Sequence, residues 1–288
     1  MNPASRRGAT SEREARSAFR SAGVSCAVVR TERRGHAAIL AREGATACDA
    51  VFTLGGDGTA MEAVSALTGT DRPVGILAGG TGNQLARYLH TPLAIGRAVH
   101  ALLTGGVERL DLGRLASGRH FALTAGFGMD AAMMAGASER AKRRFGVGAY
   151  LWSGARAVLR NDRIQARALV DGVAYERECA VAMIVNVGSF FGGRIAAGPG
   201  VRADDGLLDL CLYSARSPWE GLDVARRCAM QDFRPHHNLL FVKGREIRLE
   251  SDPLSVAQAD GELIGAGPLE AVSRPNAALV LRAHTRRD

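Results

Sequence analysis

The sequence predicts an α/β domain, a parallel sheet covered by helices, to about residue 110, and a β-rich domain after it. Two observations carry the first part: strand-like runs alternate with helix-like runs, and the strand-like runs end in glycines. A third carries the rest. Beyond residue 106, short segments rich in β-branched or alternating residues are set off by turn residues, the pattern of an antiparallel sandwich or barrel. The expected domains are 1–110 and 111–288.

In chain order, residues 11–22 and 36–47 are rich in Ala, Arg and Glu and read as helices, with "CAVVRT" (26–31) a short strand between them. "DAVFTL" (49–54) and "RPVGILA" (72–78) are strands, each followed by a helical pattern, and "AIGRAVHALLTGG" (94–106) closes the α/β part. Later strands are expected in "ERLDLGRL", "RHFALTAGFG", "IQARALVDG", "AVAMIVNVGSF", "LLDLCLYSA", "FVKGREIRLE", "LEAVSR" and "ALVLRAH". Helical insertions are expected around 131–160 and 218–231.

The chain has 288 residues and a net charge of +8, almost wholly from arginine, since Lys142 and Lys243 are its only lysines. Such a surplus favours polyanionic partners, although a GC-rich codon bias would give the same composition. Five scattered cysteines form no C-x-x-C pair, which argues for a reducing compartment and against a disulfide framework or zinc site. No run approaches the roughly 18 apolar residues of a membrane span. The start carries no apolar signal segment, so a cytoplasmic protein is expected, with peripheral contact to a membrane at most.

The chemistry concentrates in "VFTLGGDGTAMEAVSAL" (51–67). Its glycines let a ligand approach the main chain, and Thr59 and Glu62 have the T-x-x-E spacing of a capping box that would start a helix at Ala60. A helix N-terminus presents unpaired N–H groups and positive partial charge, an anion site. "GILAGGTGNQLARYL" (75–89) repeats the design, and in a parallel sheet both loops fall at the carboxyl ends of their strands. The sequence has no G-x-x-x-x-G-K-[ST] motif, and "GFGMDA" (126–131) lies in β-rich sequence with no acid about 20 residues on, as a dinucleotide fingerprint requires. Asp57 inside a phosphate loop makes sense if a divalent cation lies between them, because Mg²⁺ prefers one or two carboxylates plus phosphate oxygens.

The combination of "GGDGT" (55–59), "GGTGNQLAR" (79–87), "GFGMDA" (126–131), "ADDGLLDL" (203–210) and "ADGELIG" (259–265) resembles the diacylglycerol kinase catalytic family, over nearly the whole chain and in the right order. That family includes bacterial diacylglycerol kinases and sphingosine kinases and is more distantly similar to NAD kinases. The resemblance implies an α/β nucleotide domain, a C-terminal β-sandwich, ATP as co-substrate and Mg²⁺. By motif position it implies ATP contacts at Gly55, Gly56, Asp57, Gly58, Thr59, Glu62, Gly80, Thr81, Gly82 and Asn83, and at Thr31 in "RTERRGHA". Glu262 takes the place of the catalytic base, with Asp260 beside it near the metal. Asp-Gly is also a common hairpin dipeptide, so "ADGEL" reads equally as a turn between strands. "RADDGLLDL" resembles a second metal site, with the Asp205 carboxylate and the backbone carbonyls of Arg202 and Leu207, or else a tight turn into a strand. Asp130 matches a family aspartate that reads the substrate head group.

Three departures from the family pattern stand out. Gln84 replaces an Asp common in diacylglycerol kinases and often absent from sphingoid-base relatives. "MNP" looks like the end of the family's first strand, which leaves either an upstream start or a sheet without that edge. Little follows "ALVLRAHTRRD" to pack back on the first domain. The expected function is transfer of the γ-phosphate of ATP to a hydroxyl of diacylglycerol or a related lipid. A sphingoid-base kinase is the alternative, with an NAD kinase or an inactive nucleotide- or lipid-binding regulator behind it. Expected partners are a lipid alcohol, a peripheral membrane surface and a second copy in a homodimer, and not nucleic acid. Residues 139–163, with seven basic residues, Phe145, Tyr150 and Trp152, suit either a membrane interface or a helix with a solvated basic face.

Overall fold

The computed structural model describes residues 1–3, 8–128, 163–190 and 195–284. They divide into two compact units, one of Met1–Leu110 with the chain from Asn276 on, the other of Asp111–Pro275. The expected division put the whole tail in the second domain; here the described residues after Pro275 cluster with the first unit.

In the first unit the helices are α1 (Gly8–Ser21), α2 (His36–Ala47), α3 (Asp57–Ala66), α4 (Gln84–Tyr88) and α5 (Ile95–Leu103). Its sheet is built on β1 (Val51–Gly55) and β2 (Val74–Ala78), parallel from Val51↔Val74 to Gly55↔Ala78. Period-two alternation sends Leu54 and Leu77 to one face, into a cluster with Phe19 of α1 and Ile95, Val99 and Leu102 of α5. Phe19 meets Phe52 edge to face at 4.8 Å. Each such fully buried side chain stabilises by about 1.5–3 kcal/mol. On β1, α3 also packs, and α2 packs on α3. The strand expected over 26–31 does not form. Thr31 N–H reaches Met1 O at 2.8 Å, the Met1 ammonium reaches Val29 O at 2.9 Å, and Asn2 N–H reaches Leu54 O at 2.9 Å. Met1 and Asn2 thus lie between this segment and β1 without forming a strand there.

The second unit holds β3 (Gly106–Leu115), which enters it from the first, then β4 (His120–Phe121), β5 (Thr124–Gly128), β6 (Ile164–Val170), β7 (Val173–Cys179), β8 (Val181–Val185), β9 (Ser189–Phe190) and β10 (Ile195–Ala196). After them come β11 (Leu208–Tyr213), α6 (Pro218–Met230), β12 (Leu239–Gly244), β13 (Glu246–Asp252), β14 (Val256–Ala259), β15 (Glu262–Ala266) and β16 (Leu269–Arg282). One antiparallel sheet runs β12-β11-β8-β5-β14-β15. Facing it are the antiparallel pairs β7/β6, β6/β13 and β13/β16. Alternate residues of both meet in one core that includes Ala166 and Ala168 of β6, Leu249 of β13, Phe127 of β5, Ile184 of β8 and Leu210 of β11. The second part is a β-sandwich.

β16 is a single 14-residue strand, where a break was expected between "LEAVSR" and "ALVLRAH". Its far half returns to the first unit, where Val280 pairs in parallel with Val74. β7 has no expected counterpart. Asp171 and Gly172, at φ 45° and 86°, turn β6 back into it, and its exposure lacks alternation, so no apolar rhythm marked it. Helix α6 forms as expected, with Ser217 capping the Glu220 N–H at 3.3 Å and Pro218 in its first turn. The expected insertion at 131–160 lies outside the described residues.

Candidate functional site

In the first unit the two glycine loops pack backbone against backbone. Gly79 N–H donates to Gly55 O at 2.8 Å, directly past the last β1–β2 pair. A Cβ on Gly80 would stand 2.5 Å from the Cα of Gly56, and one on Gly55 would stand 2.8 Å from the Thr59 side chain. Glycine is required at these positions by close approach. Asn83, at φ 49°, closes the second loop: its Oδ1 accepts from Gly80 N–H at 2.9 Å and its Nδ2 donates to Gly80 O at 2.8 Å. Thr81 in the second loop and Gly58 in the first turn of α3 are exposed, and Gly82 lies against Asp57. Asn2 Nδ2 donates to Thr59 Oγ1 at 3.3 Å, so the Met1–Asn2 segment links Thr31 to the first loop.

The capping box does not form. Helix α3 begins at Asp57, three residues before the expected start, with Gly56 as its cap and no side-chain cap bond. Glu62 instead accepts from Gly35 N–H at 2.9 Å and Ala37 N–H at 3.1 Å, holding the start of α2. Asp57 has an equally specific task. Its Oδ1 accepts from Leu85 N–H at 3.1 Å, and the amides of Gln84 and Asn83 also face the carboxylate. Burial pushes its pKa up, and these backbone donors oppose that push. The Asp57 carboxylate thus staples the first glycine loop to the second.

In the second unit, Asp260 and Gly261, both at positive φ (49° and 81°), form a two-residue hairpin loop between β14 and β15, with Ala259 paired to Glu262. The turn reading of "ADGEL" therefore holds, and the hairpin fixes both acids. The Asp260 carboxylate accepts the N–H groups of Ala122 (2.8 Å), Leu123 (2.8 Å) and Thr124 (3.1 Å), so it is an anchor for the chain entering β5, not the metal ligand expected. Glu262 opens β15 with its carboxylate Oε2 2.8 Å from the Arg119 guanidinium. Arg119 had not been singled out from sequence. Buried Asn186 was missed as well; its Nδ2 donates to Asp111 O at 2.7 Å and Ala122 O at 3.0 Å.

The second expected metal site is a tight turn into β11. Asp205 Oδ1 accepts from Leu207 N–H at 3.1 Å, while Oδ2 lies 2.6 Å from Lys243 Nζ. The Arg202 guanidinium takes Asp204 at 2.8 Å. Buried Asp209 lies 3.5 Å from the same ammonium. Burial pushes the Asp209 pKa up to about 6, Lys243 pulls it down and Asp205 adds to the rise. Both oxygens of Asp205 already have partners, one of them cationic, so these residues do not fit a divalent ion, contrary to the expectation for Arg202, Asp205 and Leu207. Among the described residues no group of three or more His, Cys, Asp or Glu is placed to hold a metal. Asp130 and most of 139–163 lie outside the described residues. No described helix is long and apolar enough to cross a membrane.

The chain thus combines an α/β unit with paired glycine loops and a β-sandwich with a hairpin that fixes two acids. Residues 1–115 match the model of the diacylglycerol kinase catalytic domain, and residues 124–282 match the YegS C-terminal NAD kinase beta sandwich-like domain. The chain belongs to the diacylglycerol kinase catalytic family, a family of kinases. It is 29% identical over 233 residues to an uncharacterized protein of Synechocystis, covering 78% of this chain and 53% of that protein, so it spans about half the length of that relative. A Staphylococcus aureus protein named "Putative lipid kinase" is 26% identical over 247 residues, covering 84% of this chain and 80% of the relative. In fold, the chain is similar to the crystal structure of a "putative diacylglycerol kinase" from Bacillus anthracis (TM-score 0.83, 24% identity, 98% of this chain and 93% of that one). An Archaeoglobus fulgidus NAD kinase in complex with ATP is a more distant likeness (TM-score 0.55, 14% identity, 98% and 92% covered).

Proposed function

We propose that this protein is an ATP- and Mg²⁺-dependent lipid kinase that transfers the γ-phosphate to a hydroxyl of diacylglycerol or a related lipid. The observation that carries the reading is the seat of the two glycine loops, backbone to backbone, at the carboxyl ends of β1 and β2. Close packing that only glycine permits leaves main-chain amides and the start of α3 as the groups that meet a phosphate. Asp57 sets the spacing of the loops. Glu262 accepts the proton of the attacking lipid hydroxyl, and Arg119 holds that carboxylate in one orientation. Mg²⁺ bound to the nucleotide would supply neutralisation of charge on the transferred phosphoryl group.

A second acceptor, a sphingoid base, is favoured by one observation, the amide Gln84 in place of an acid beside the loops. The lipid alcohol would be drawn from a membrane surface by a cytoplasmic protein. The test is purified protein with labelled ATP and Mg²⁺ against diacylglycerol, sphingosine and NAD. Label is expected in diacylglycerol, and label in sphingosine alone moves the acceptor. Label in NAD alone, or ATP binding with no transfer to any acceptor, contradicts a lipid kinase.

A further inference from the structure

We propose that Lys243 is a cation built into the protein, holding the acidic turn 203–207 in place of a divalent ion. Three features of the second unit converge on its ammonium. Asp205 Oδ2 lies at 2.6 Å, the carbonyl of Gly200 at 3.1 Å and Asp209 Oδ2 at 3.5 Å. A carboxylate, a main-chain carbonyl and a second carboxylate around one positive charge are the oxygen donors a hard divalent cation takes. Here a lysine stands among them, on a chain with only two lysines among 37 basic residues.

The register explains why this lysine and no other serves. In the β11/β12 ladder Asp209 is paired directly with Lys243, so both side chains leave the same face of the sheet. Asp205 sits in the turn that feeds β11, four residues before Asp209. Its other oxygen is taken by Leu207 N–H, and Asp111 Oδ2 accepts Gly206 N–H at 2.7 Å, so the turn is fixed from two further directions. Asp209 has no hydrogen-bond partner for its buried Oδ2, which leaves that ammonium as its nearby compensating charge. Arginine would not serve as well, because its planar fork bonds in one plane whereas an ammonium is a compact charge that can face three oxygens at once. Burial lowers the Lys243 pKa, but the bond to Asp205 and the charges of Asp209 and Asp205 outweigh it and hold the group charged.

The test is thermal unfolding without nucleotide, in EDTA and in millimolar Mg²⁺ or Ca²⁺, for the wild type, Lys243→Met and the double variant Lys243→Met/Asp205→Asn. The wild type is expected to melt at the same temperature in EDTA and in either ion. Lys243→Met is expected to melt several degrees lower in EDTA and to regain most of the loss when the ion is added. The double variant should regain none, since the carboxylate that would receive the ion is gone. A Lys243→Met protein that melts like the wild type in EDTA overturns the proposal. So does a loss that neither ion restores, which reduces Lys243 to an ordinary ion pair. Should Lys243→Met fail to fold, Mn²⁺ titration of the wild type and Asp205→Asn decides the matter. Equal Mn²⁺ binding supports the built-in cation, and weaker binding by Asp205→Asn overturns it.

Discussion

At Glu262 the chain combines a hairpin tip with a charge partner 143 positions earlier. Both Arg119 and Glu262 are about a third exposed (36% and 34%), so their ion pair contributes little to stability, on the order of 1 kcal/mol or less. What it does supply is orientation. Arg119→Ala should therefore leave the unfolding free energy within about 1 kcal/mol of wild type. Turnover should fall by about 10- to 100-fold, as a displaced catalytic group would require, with KM for ATP unchanged. Steady-state kinetics beside chemical denaturation read both quantities; a large stability loss with intact kcat would make Arg119 structural. Glu262 was legible as a candidate because "ADGEL" stands in a recognisable order of motifs. Arg119 was not, because nothing in "SGRHF" marks a residue whose partner lies across the sheet. Asp57 and Asp260 were legible as important acids but not in their work. Sequence shows a carboxylate and not the backbone amides folded around it, three of them at Asp260.

Among the elements, the paired loops set the sharpest demand on the sequence. Replacing Gly80 by Ala puts a methyl group 2.5 Å from the Cα of Gly56 and 3.1 Å from Asn83 Oδ1, so the loops must part. Overpacking of this kind costs about 1–3 kcal/mol. Gly96→Ala in α5 is the control. Nothing lies within 4 Å of its added Cβ, and alanine in a helix should stabilise by about 0.5–1 kcal/mol. ATP binding by calorimetry should weaken for Gly80→Ala and stay unchanged for Gly96→Ala; equal affinity in both would detach the loop packing from nucleotide binding. Strands β1 and β2 were readable from their apolar runs ending in glycine. The capping box was misread because the Thr59–Glu62 spacing that allows a reciprocal cap equally lets Glu62 face outward, to the amides of Gly35 and Ala37. The strand at 26–31 failed for a non-local reason: β-propensity in "CAVVRT" needs a paired neighbouring strand, and among the described residues its ladder bonds are the two to Met1.

On the scale of the molecule, two compact units are threaded by β3 and β16, each of which begins in one unit and ends in the other. Alternation of strands and helices followed by a run of strands was enough to read the α/β part and an antiparallel sandwich or barrel, and the motif resemblance chose the sandwich. The return of β16 was hidden because Pro275 and Asn276, at the point where it passes between units, read as a turn. The net charge of +8 agrees with a nucleotide and an anionic lipid surface without choosing between them. The central claim, phosphoryl transfer with Glu262 as base, is tested most directly by comparing wild type and Glu262→Gln. Labelled ATP, Mg²⁺ and diacylglycerol vesicles would be used for transfer, and calorimetry for ATP binding. The account predicts that the amide variant binds ATP as tightly as the wild type while transfer falls by roughly 10²- to 10⁴-fold. Transfer within a few-fold of wild type would contradict it.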